Sequence, residues 1–225
     1  MKRAPLPFDI KHFEKLKKSG RGLTTEEIFK EIYSSNHWQG EASLSGQGSG
    51  VDQTREISIQ IPKLIHELGV KRVLDVPCGD FNWFSKMDME LNFYIGGDII
   101  DEIVERNHSI YQNQFRYFQK IDLIKDPLPE SDILLCRDCL VHFSNNDILE
   151  ALKNIKKSNI TFLLTTTFTD CLKNKDIVTG DWRIINLGKP PFNLPTPLKL
   201  INEKCTEGNG TYADKCLGLW NIRDL

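Results

Sequence analysis

No stretch of this chain approaches the roughly 18 consecutive apolar residues needed to cross a bilayer, so no membrane span is expected. Charge asymmetry is lacking too. Lys and Arg number 29 against 31 Asp and Glu, a net charge of −2, which gives no electrostatic reason to expect nucleic acid or an anionic membrane as partner. Met1-Lys2-Arg3 is basic, but Ala4-Pro5-Leu6-Pro7-Phe8-Asp9 supplies no apolar core for a secretory signal. There is no internal repeat and no low-complexity tract. A cytoplasmic location is the expectation, and the six cysteines are then expected as reduced thiols. The composition is that of an ordinary soluble protein, 40% hydrophobic and 27% charged, and 225 residues suffice for one buried core without a second domain.

The pattern divides at about residue 53. In the N-terminal part, Thr24 to Ser34 reads as a helix with Thr24 and Glu27 as its capping box and Ile28, Phe29, Ile32 and Tyr33 as its apolar face. Asn36 to Asp52 is rich in Gly and Ser and reads equally as a flexible linker or as a loop structured against a ligand. From residue 54 onward, a helix over Thr54–Leu68, with a kink at Pro62, precedes apolar strands at Arg72–Val76, Phe93–Gly97, Phe115–Phe118, Asp132–Cys136 and Thr161–Thr166. Ser144 and Asp147 cap a helix between the last two. Strands alternating with helices predict a doubly wound α/β fold with a mostly parallel sheet, covered on both faces. Four prolines between Gly188 and Pro197 exclude regular structure. Beyond them Leu198–Cys205 and Lys215–Ile222 read as an antiparallel hairpin joined through Gly208-Asn209-Gly210, bringing the sheet to seven strands.

A second absence bears on function. The turn after the first strand, Asp75-Val76-Pro77-Cys78-Gly79-Asp80, lacks the three glycines that cradle a dinucleotide pyrophosphate. What the turn does contain is one glycine able to bring bare backbone against a ligand. Asp98, 23 residues after Asp75, ends the next apolar run, close to the roughly 20 expected for an acidic residue that accepts hydrogen bonds from ribose hydroxyls. A nucleoside cofactor without phosphates fits this pattern.

Here the chain resembles the class I S-adenosylmethionine-dependent methyltransferases. The residues that carry the likeness are Val73-Leu74-Asp75-Val76-Pro77-Cys78-Gly79, Gly96-Gly97-Asp98, Lys120-Ile121-Asp122-Leu123 and Cys136-Arg137-Asp138-Cys139-Leu140-Val141-His142-Phe143. It covers roughly residues 55 to 225, with Pro77 and Phe81 standing where the family commonly has glycine. A narrower likeness, to a bacterial subfamily often found beside surface-polysaccharide or glycan enzymes, rests on Ile32-Tyr33, Trp38, Ser45-Gly46-Gln47-Gly48-Ser49, Thr54, Arg137-Asp138-Cys139-Leu140-Val141-His142, Gly180-Asp181-Trp182-Arg183 and Pro190-Pro191-Phe192. The resemblance implies S-adenosyl-L-methionine as cofactor. It would be held by Trp38, Gly46, Asp75, Pro77, Cys78, Gly79, Asp98, Ile99, Asp122, Leu123 and Arg137. It also implies a small-molecule or sugar acceptor that meets Tyr33, Trp182 and Arg183, and a methyltransferase domain over 54–225 preceded by a helical extension over 1–53.

Methyl transfer to an alcohol needs in-line alignment and a base at the moment of attack. Asp138 and His142, at the end of the fourth strand, are the candidates, and His142 has the more suitable ordinary pKa. Either could instead serve locally, His142 bonded to backbone and Asp138 paired with Arg137. Cys136, Cys139 and His142 also form a C-x-x-C-x-x-H pattern, but a zinc site would need a fourth ligand, so no metal is expected. Two other functions compete: a catalytically silent scaffold that keeps the cofactor fold, and a nicotinamide-dependent oxidoreductase, which would require the missing glycines.

Overall fold

The computed structural model describes residues 8–40, 43 and 45–225. The basic N-terminus with its missing signal core, up to Pro7, and Leu44 of the Gly/Ser stretch lie outside the described residues. Seven strands form one sheet in the order β3-β2-β1-β4-β5-β7-β6. They are β1 Arg72–Asp75, β2 Phe93–Asp98, β3 Arg116–Lys120, β4 Ile133–Cys136, β5 Phe162–Phe168, β6 Lys199–Asn202 and β7 Lys215–Asn221. Strands β1 to β5 pair in parallel, while β7 lies antiparallel between β5 and β6. The hairpin expected from the glycines at 208 and 210 is therefore present, its second strand set inside its first.

Alternating side chains of the strands feed two cores, one on each face of the sheet. On one face Leu74, Val76, Leu134 and Leu163 pack against α5 (Asn145–Lys156) through Ile148, Leu152 and Ile155. On the other, Val73, Leu135, Leu164 and Leu219 pack against α3 (Val51–Glu67) through Ile57, Ile61 and Leu64. Helix α3 begins at Val51 rather than Thr54 because Gly50, in extended conformation, already ends the Gly/Ser stretch; it runs through Pro62. A further helix, α4 (Asp101–Tyr111), links β2 to β3.

Two expected crossovers carry no α-helix. Between β1 and β2 there is only a short turn at Phe84–Lys86, because Phe81, Trp83 and Phe84 cover the sheet as an aromatic cluster with Tyr94 and Phe118. Between β3 and β4, Pro127 and Pro129 remove two backbone donors from a twelve-residue connection.

The N-terminal part is ordered over the residues described and lies across the carboxyl ends of the strands. Helix α1 (His12–Lys18) docks on the segment at 180–182: Asp181 accepts from the amides of Phe13 (2.8 Å) and Glu14 (3.0 Å). A Cβ on Gly180 would stand 2.5 Å from both Phe13 and Ile28, so only glycine admits this packing. Helix α2 (Thr25–Ser34) carries the expected capping box and buries Ile28 and Ile32. Its outer face is tied to the main domain by Lys30–Asp101 (3.2 Å) and Glu26–Lys120 (2.8 Å). These exposed pairs add little stability each but mark how the extension is registered on α4 and β3. Among the described residues no helix is long and apolar enough to cross a membrane.

Candidate functional site

Strand order reverses between β1 and β4, and the carboxyl ends of the strands around that switch point are where doubly wound sheets form their ligand crevice. A cleft of about 1000 Å³ opens there. Its floor is the turn after β1 and the ends of β2 and β4, and its roof is α2 with Trp38. Of the expected residues, Tyr33, Trp38, Asp75, Pro77, Cys78, Gly79, Asp98, Ile99, Asp122, Leu123, Arg137, Asp138 and His142 all line it.

The turn is held as a unit. Gly79 (φ +53) donates its amide to Asp98 Oδ2 at 3.1 Å, and Asp98 Oδ1 accepts from Ile100 N at 3.1 Å. Asn107 of α4, fully buried, donates to Gly79 O at 2.6 Å. Phe81, at a position where glycine is common in the family, adopts φ +57, a left-handed conformation glycine takes without cost. Its ring is 2% exposed among four other aromatics, so burial of a large side chain offsets the strained backbone.

Two buried carboxyls face the cleft. Burial pushes Asp75 up to about 7, against the opposing pull of the Tyr94 hydroxyl that donates to it at 2.7 Å. Burial likewise pushes Asp98 up to about 6, tempered by its backbone donors. The donors each carboxyl has, the Tyr94 hydroxyl for Asp75 and two backbone amides for Asp98, do not offset its burial, and a group that donates hydrogen bonds or brings positive charge would favour ionisation. Asp122, after β3, turns one oxygen to Ile124 N at 2.9 Å and also lines the cleft.

A second cavity of about 650 Å³ adjoins the cleft, lined by Trp38, Ser45, Gly46, Gly48, Asp138, His142, Phe168, Trp182, Glu207, Tyr212 and Lys215. Trp38, Ser45, Asp138 and His142 belong to both spaces and form the wall between them. His142 stacks on Trp38, ring centroids 4.4 Å apart. Its Nδ1 lies 3.1 Å from the Asp181 carbonyl, which can only accept, so Nδ1 carries the proton and Nε2 holds the lone pair. Burial lowers the imidazole to about 4, keeping it neutral through the physiological range. The Trp38 indole N–H is buried without a partner among the described residues.

Asp138 (φ +51) is held differently. Lys215 Nζ stands 2.6 Å from Oδ2 and Arg137 Nη1 3.3 Å from it. Burial alone would raise this carboxyl, but the two cations outweigh it and hold it at about 2. Arg137 and Lys215 also share Glu203, at 2.7 and 3.5 Å. Asp138 and His142 are not hydrogen-bonded to one another; the Asp181 carbonyl holds the ring, and Asp138 pairs with Arg137 and Lys215.

Three further placements differ from expectation. Tyr33, expected to meet the acceptor, lines the cleft and not the second cavity. Gly46 lines only the second cavity and packs against Trp38, 3.0 Å from where its Cβ would stand, while Ser45, its Oγ accepting from Asp80 N at 3.1 Å, lines both spaces. Arg183 lines neither space. Its guanidinium is spent on Leu140 O (2.8 Å), Lys175 O (3.2 Å) and Asn145 Oδ1 (3.3 Å), which fixes the turn that carries His142. Trp182 does line the second cavity. Glu207, Tyr212 and Lys215, which line the second cavity, and Glu203, which pairs with Arg137, are not marked by any motif; the one signal is the charge of Glu203 and Lys215 inside the apolar terminal runs, and none points to Glu207 or Tyr212. Cys136, Cys139 and His142 gather no further ligand: among the described residues no group of three His, Cys, Asp or Glu side chains could hold a metal. All six cysteines are buried free thiols.

No family model and no curated protein matches the chain. Among solved structures, human N-acetylserotonin methyltransferase in complex with S-adenosylmethionine superposes with a TM-score of 0.61 at 15% identity, over 92% of this chain. The chain spans 61% of that protein's length. The N-methyltransferase NodS of Bradyrhizobium japonicum gives 0.57 at 12% identity, over 75% of this chain and 96% of NodS. Magnesium protoporphyrin IX methyltransferase of Synechocystis, with S-adenosylhomocysteine bound, gives 0.50 at 13%, over 66% and 74%. Together with the strand order and the antiparallel terminal pair, these likenesses establish that the chain has the class I methyltransferase fold.

Proposed function

We propose that this protein is an S-adenosylmethionine-dependent methyltransferase. The donor occupies the cleft, and a small hydroxylated acceptor, a sugar or related metabolite, occupies the adjoining cavity. The observation that carries the reading is the pair of buried carboxyls, Asp75 and Asp98, held at about 7 and about 6 beside a turn with no phosphate-cradling glycines. A phosphate-bearing dinucleotide is disfavoured by two carboxyls, whereas a ribose diol and a cationic methionyl tail are favoured. The residues present fit that group. Asp98 would take the ribose hydroxyls, Asp122 with Leu123 the adenine edge, and Pro77, Cys78, Gly79 and Ile99 the surrounding wall. Trp38 offers an unpartnered indole N–H. When bound, S-adenosylmethionine supplies a sulfonium-activated methyl group for in-line attack by an oxygen nucleophile.

The chain's own part is alignment, exclusion of water and handling of one proton. Of Asp138 and His142, geometry favours His142 as the base: its Nε2 lone pair is set by the Asp181 carbonyl, at the wall common to both spaces. Asp138, paired with Lys215 and Arg137, is a weak proton acceptor but lends negative charge to a nearby imidazolium. Glycan or polysaccharide modification is the setting that the narrower sequence resemblance supports.

Calorimetric titration tests the donor site. Saturable binding of S-adenosylmethionine and S-adenosylhomocysteine is expected, with affinity rising from pH 5 to pH 7 as Asp98 and Asp75 ionise and levelling above. Between about pH 7 and pH 6 the loss should approach tenfold per pH unit, and below about pH 6, where both carboxyls must give up a proton, a hundredfold per unit. Preference for NAD, or affinity independent of pH across this range, overturns the assignment. Methyl transfer at saturating donor is expected to stay flat from about pH 8 down to about pH 5, because His142 titrates near 4. A limb centred at the ordinary histidine value of about 6.5 would remove His142 from the role.

A further inference from the structure

The second cavity has a make-up that the donor cleft does not share, and its charge narrows the acceptor. One side is aromatic. Trp182 meets Tyr212 edge to face at 5.3 Å and Phe168 at 6.4 Å, with Trp38 opposite on the wall shared with the cleft. The other side is ionic. Lys215 spends its charge on Asp138 and Glu203, and Arg137 on the same two carboxylates. Glu207 is left as the carboxylate in excess: among the described residues no cation lies within ion-pair distance of it, its Oε2 accepting only from the Cys205 thiol at 3.5 Å.

These carboxylates converge on a place kept open by the lack of a side chain. A Cβ built on Gly48 would stand 3.3 Å from Asp138 Oδ2, 3.6 Å from Glu207 Oε2 and 3.8 Å from Lys215 Nζ, the last already bonded to Asp138 at 2.6 Å. Beside that place lies His142, 7% exposed, with Nε2 unbonded to any described residue. An anionic metabolite entering here meets two carboxylates and finds both neighbouring cations already paired. A cation meets the opposite situation: Glu207, the carboxylate without an ion-pair partner among the described residues, on one side and aromatic faces and edges on the other.

We propose that the acceptor carries a protonated amine, docked between Glu207, Asp138 and the Trp182–Tyr212 aromatic wall, with its methyl-accepting hydroxyl turned toward His142. The acceptor class is thus an amino sugar or comparable amino alcohol without phosphate or carboxylate at this end. This inference rests on reading the second cavity as the acceptor site of the proposed reaction.

The test is a set of titrations of the protein saturated with S-adenosylhomocysteine, at low salt and a pH where the amine is protonated, following tryptophan fluorescence. The probes are glucosamine, glucose and glucose 6-phosphate. Glucosamine is expected to bind at least tenfold tighter than glucose, with glucose 6-phosphate the weakest. Glu207→Gln should bring the glucosamine-to-glucose ratio to about one without changing S-adenosylhomocysteine affinity. Gly48→Ala, which places a methyl between the two carboxylates, should do the same by exclusion. A preference for the phosphate, no difference between amine and hydroxyl, no response to any probe, or a preference that survives both substitutions overturns the proposal. Failure of S-adenosylhomocysteine to bind in the first place would instead overturn the donor assignment, so the two failures are read separately.

Discussion

Asp98→Ala is expected to weaken S-adenosylhomocysteine binding by at least a hundredfold while leaving the fold intact. The carboxylate ends β2 with both oxygens aimed at the cleft floor, and each hydrogen bond it would offer a ribose hydroxyl is charge-assisted, worth about 1.5–3 kcal/mol. Two such bonds amount to two or more decades in affinity at 1.4 kcal/mol per decade. Stability moves little because two effects oppose. The amides of Gly79 and Ile100 lose their acceptor, at about 1–3 kcal/mol each for a buried unpaired donor. Against this, a fully buried acid held at about 6 instead of 3.8 costs about 3 kcal/mol to ionise at neutral pH, and alanine removes that cost. The melting temperature of the ligand-free variant should therefore remain within a few degrees of the parent while calorimetry registers no donor binding. A variant that binds normally would remove Asp98 from the site. Asp98→Asn, which keeps one acceptor oxygen for the turn, should weaken binding less than alanine.

The same carboxyls connect function to pH. Asp75 and Asp98 have folded pKa values above their unfolded ones, so their contribution to stability is whole below about pH 4. It is lost as pH rises through about 6 and about 7. A bound cation and ribose diol reverse the sign by giving the ionised forms partners. The site is thus least stable in the range where it binds best, the exchange of stability for binding common at functional sites.

The donor cleft was legible in the sequence because its parts are local. A short apolar run, a turn with one glycine and an acid at the end of the next strand are fixed by neighbours in the chain, and the topology brings Asp75, Gly79 and Asp98 together without further instruction. The second cavity was legible only in fragments. Trp182 was identified, but its neighbour Arg183 looks the same in sequence whether it faces a ligand or, as here, the carbonyl of Leu140. Glu203 and Lys215 meet Arg137 and Asp138 across 66 and 77 residues, and no periodicity records such a pairing. Asp181 carried two roles no spacing rule separates: its carboxylate holds α1 and its carbonyl sets the His142 tautomer. In sequence Phe81 departs from a glycine pattern. The backbone kept the glycine conformation and the side chain joined the core.

Arg137→Met is expected to be the most destabilising single substitution in the site. Its guanidinium, 4% exposed, bonds Glu203 Oε2 through Nε (3.1 Å) and Nη2 (2.7 Å), donates to Gly48 O (2.9 Å) and stands 3.3 Å from Asp138. It also lies over the Trp83 ring at 5.6 Å. Methionine fills much of the volume but strips Glu203 of its closest cation. That leaves a carboxylate 2% exposed, with Oε1 already unpartnered and only Lys215, at 3.5 Å, to balance it. Removing one member of a buried ion pair in this way costs about 3–5 kcal/mol, against a total stability of about 5–15 kcal/mol. For a domain of this size that is a fall of roughly 10 °C in melting temperature. The loss comes from the orphaned charge, not from the missing contact. Glu203→Gln added to Arg137→Met should therefore restore stability relative to Arg137→Met alone, whereas in the parent background it should destabilise. A double-mutant cycle by urea unfolding measures this directly, and a coupling energy near zero would mean that the pair is incidental. The bond to Gly48 adds a second readout. With Arg137 gone the loop over both spaces loses its tether, so donor affinity should fall in Arg137→Met, and the fall should persist when Glu203→Gln has repaired the fold.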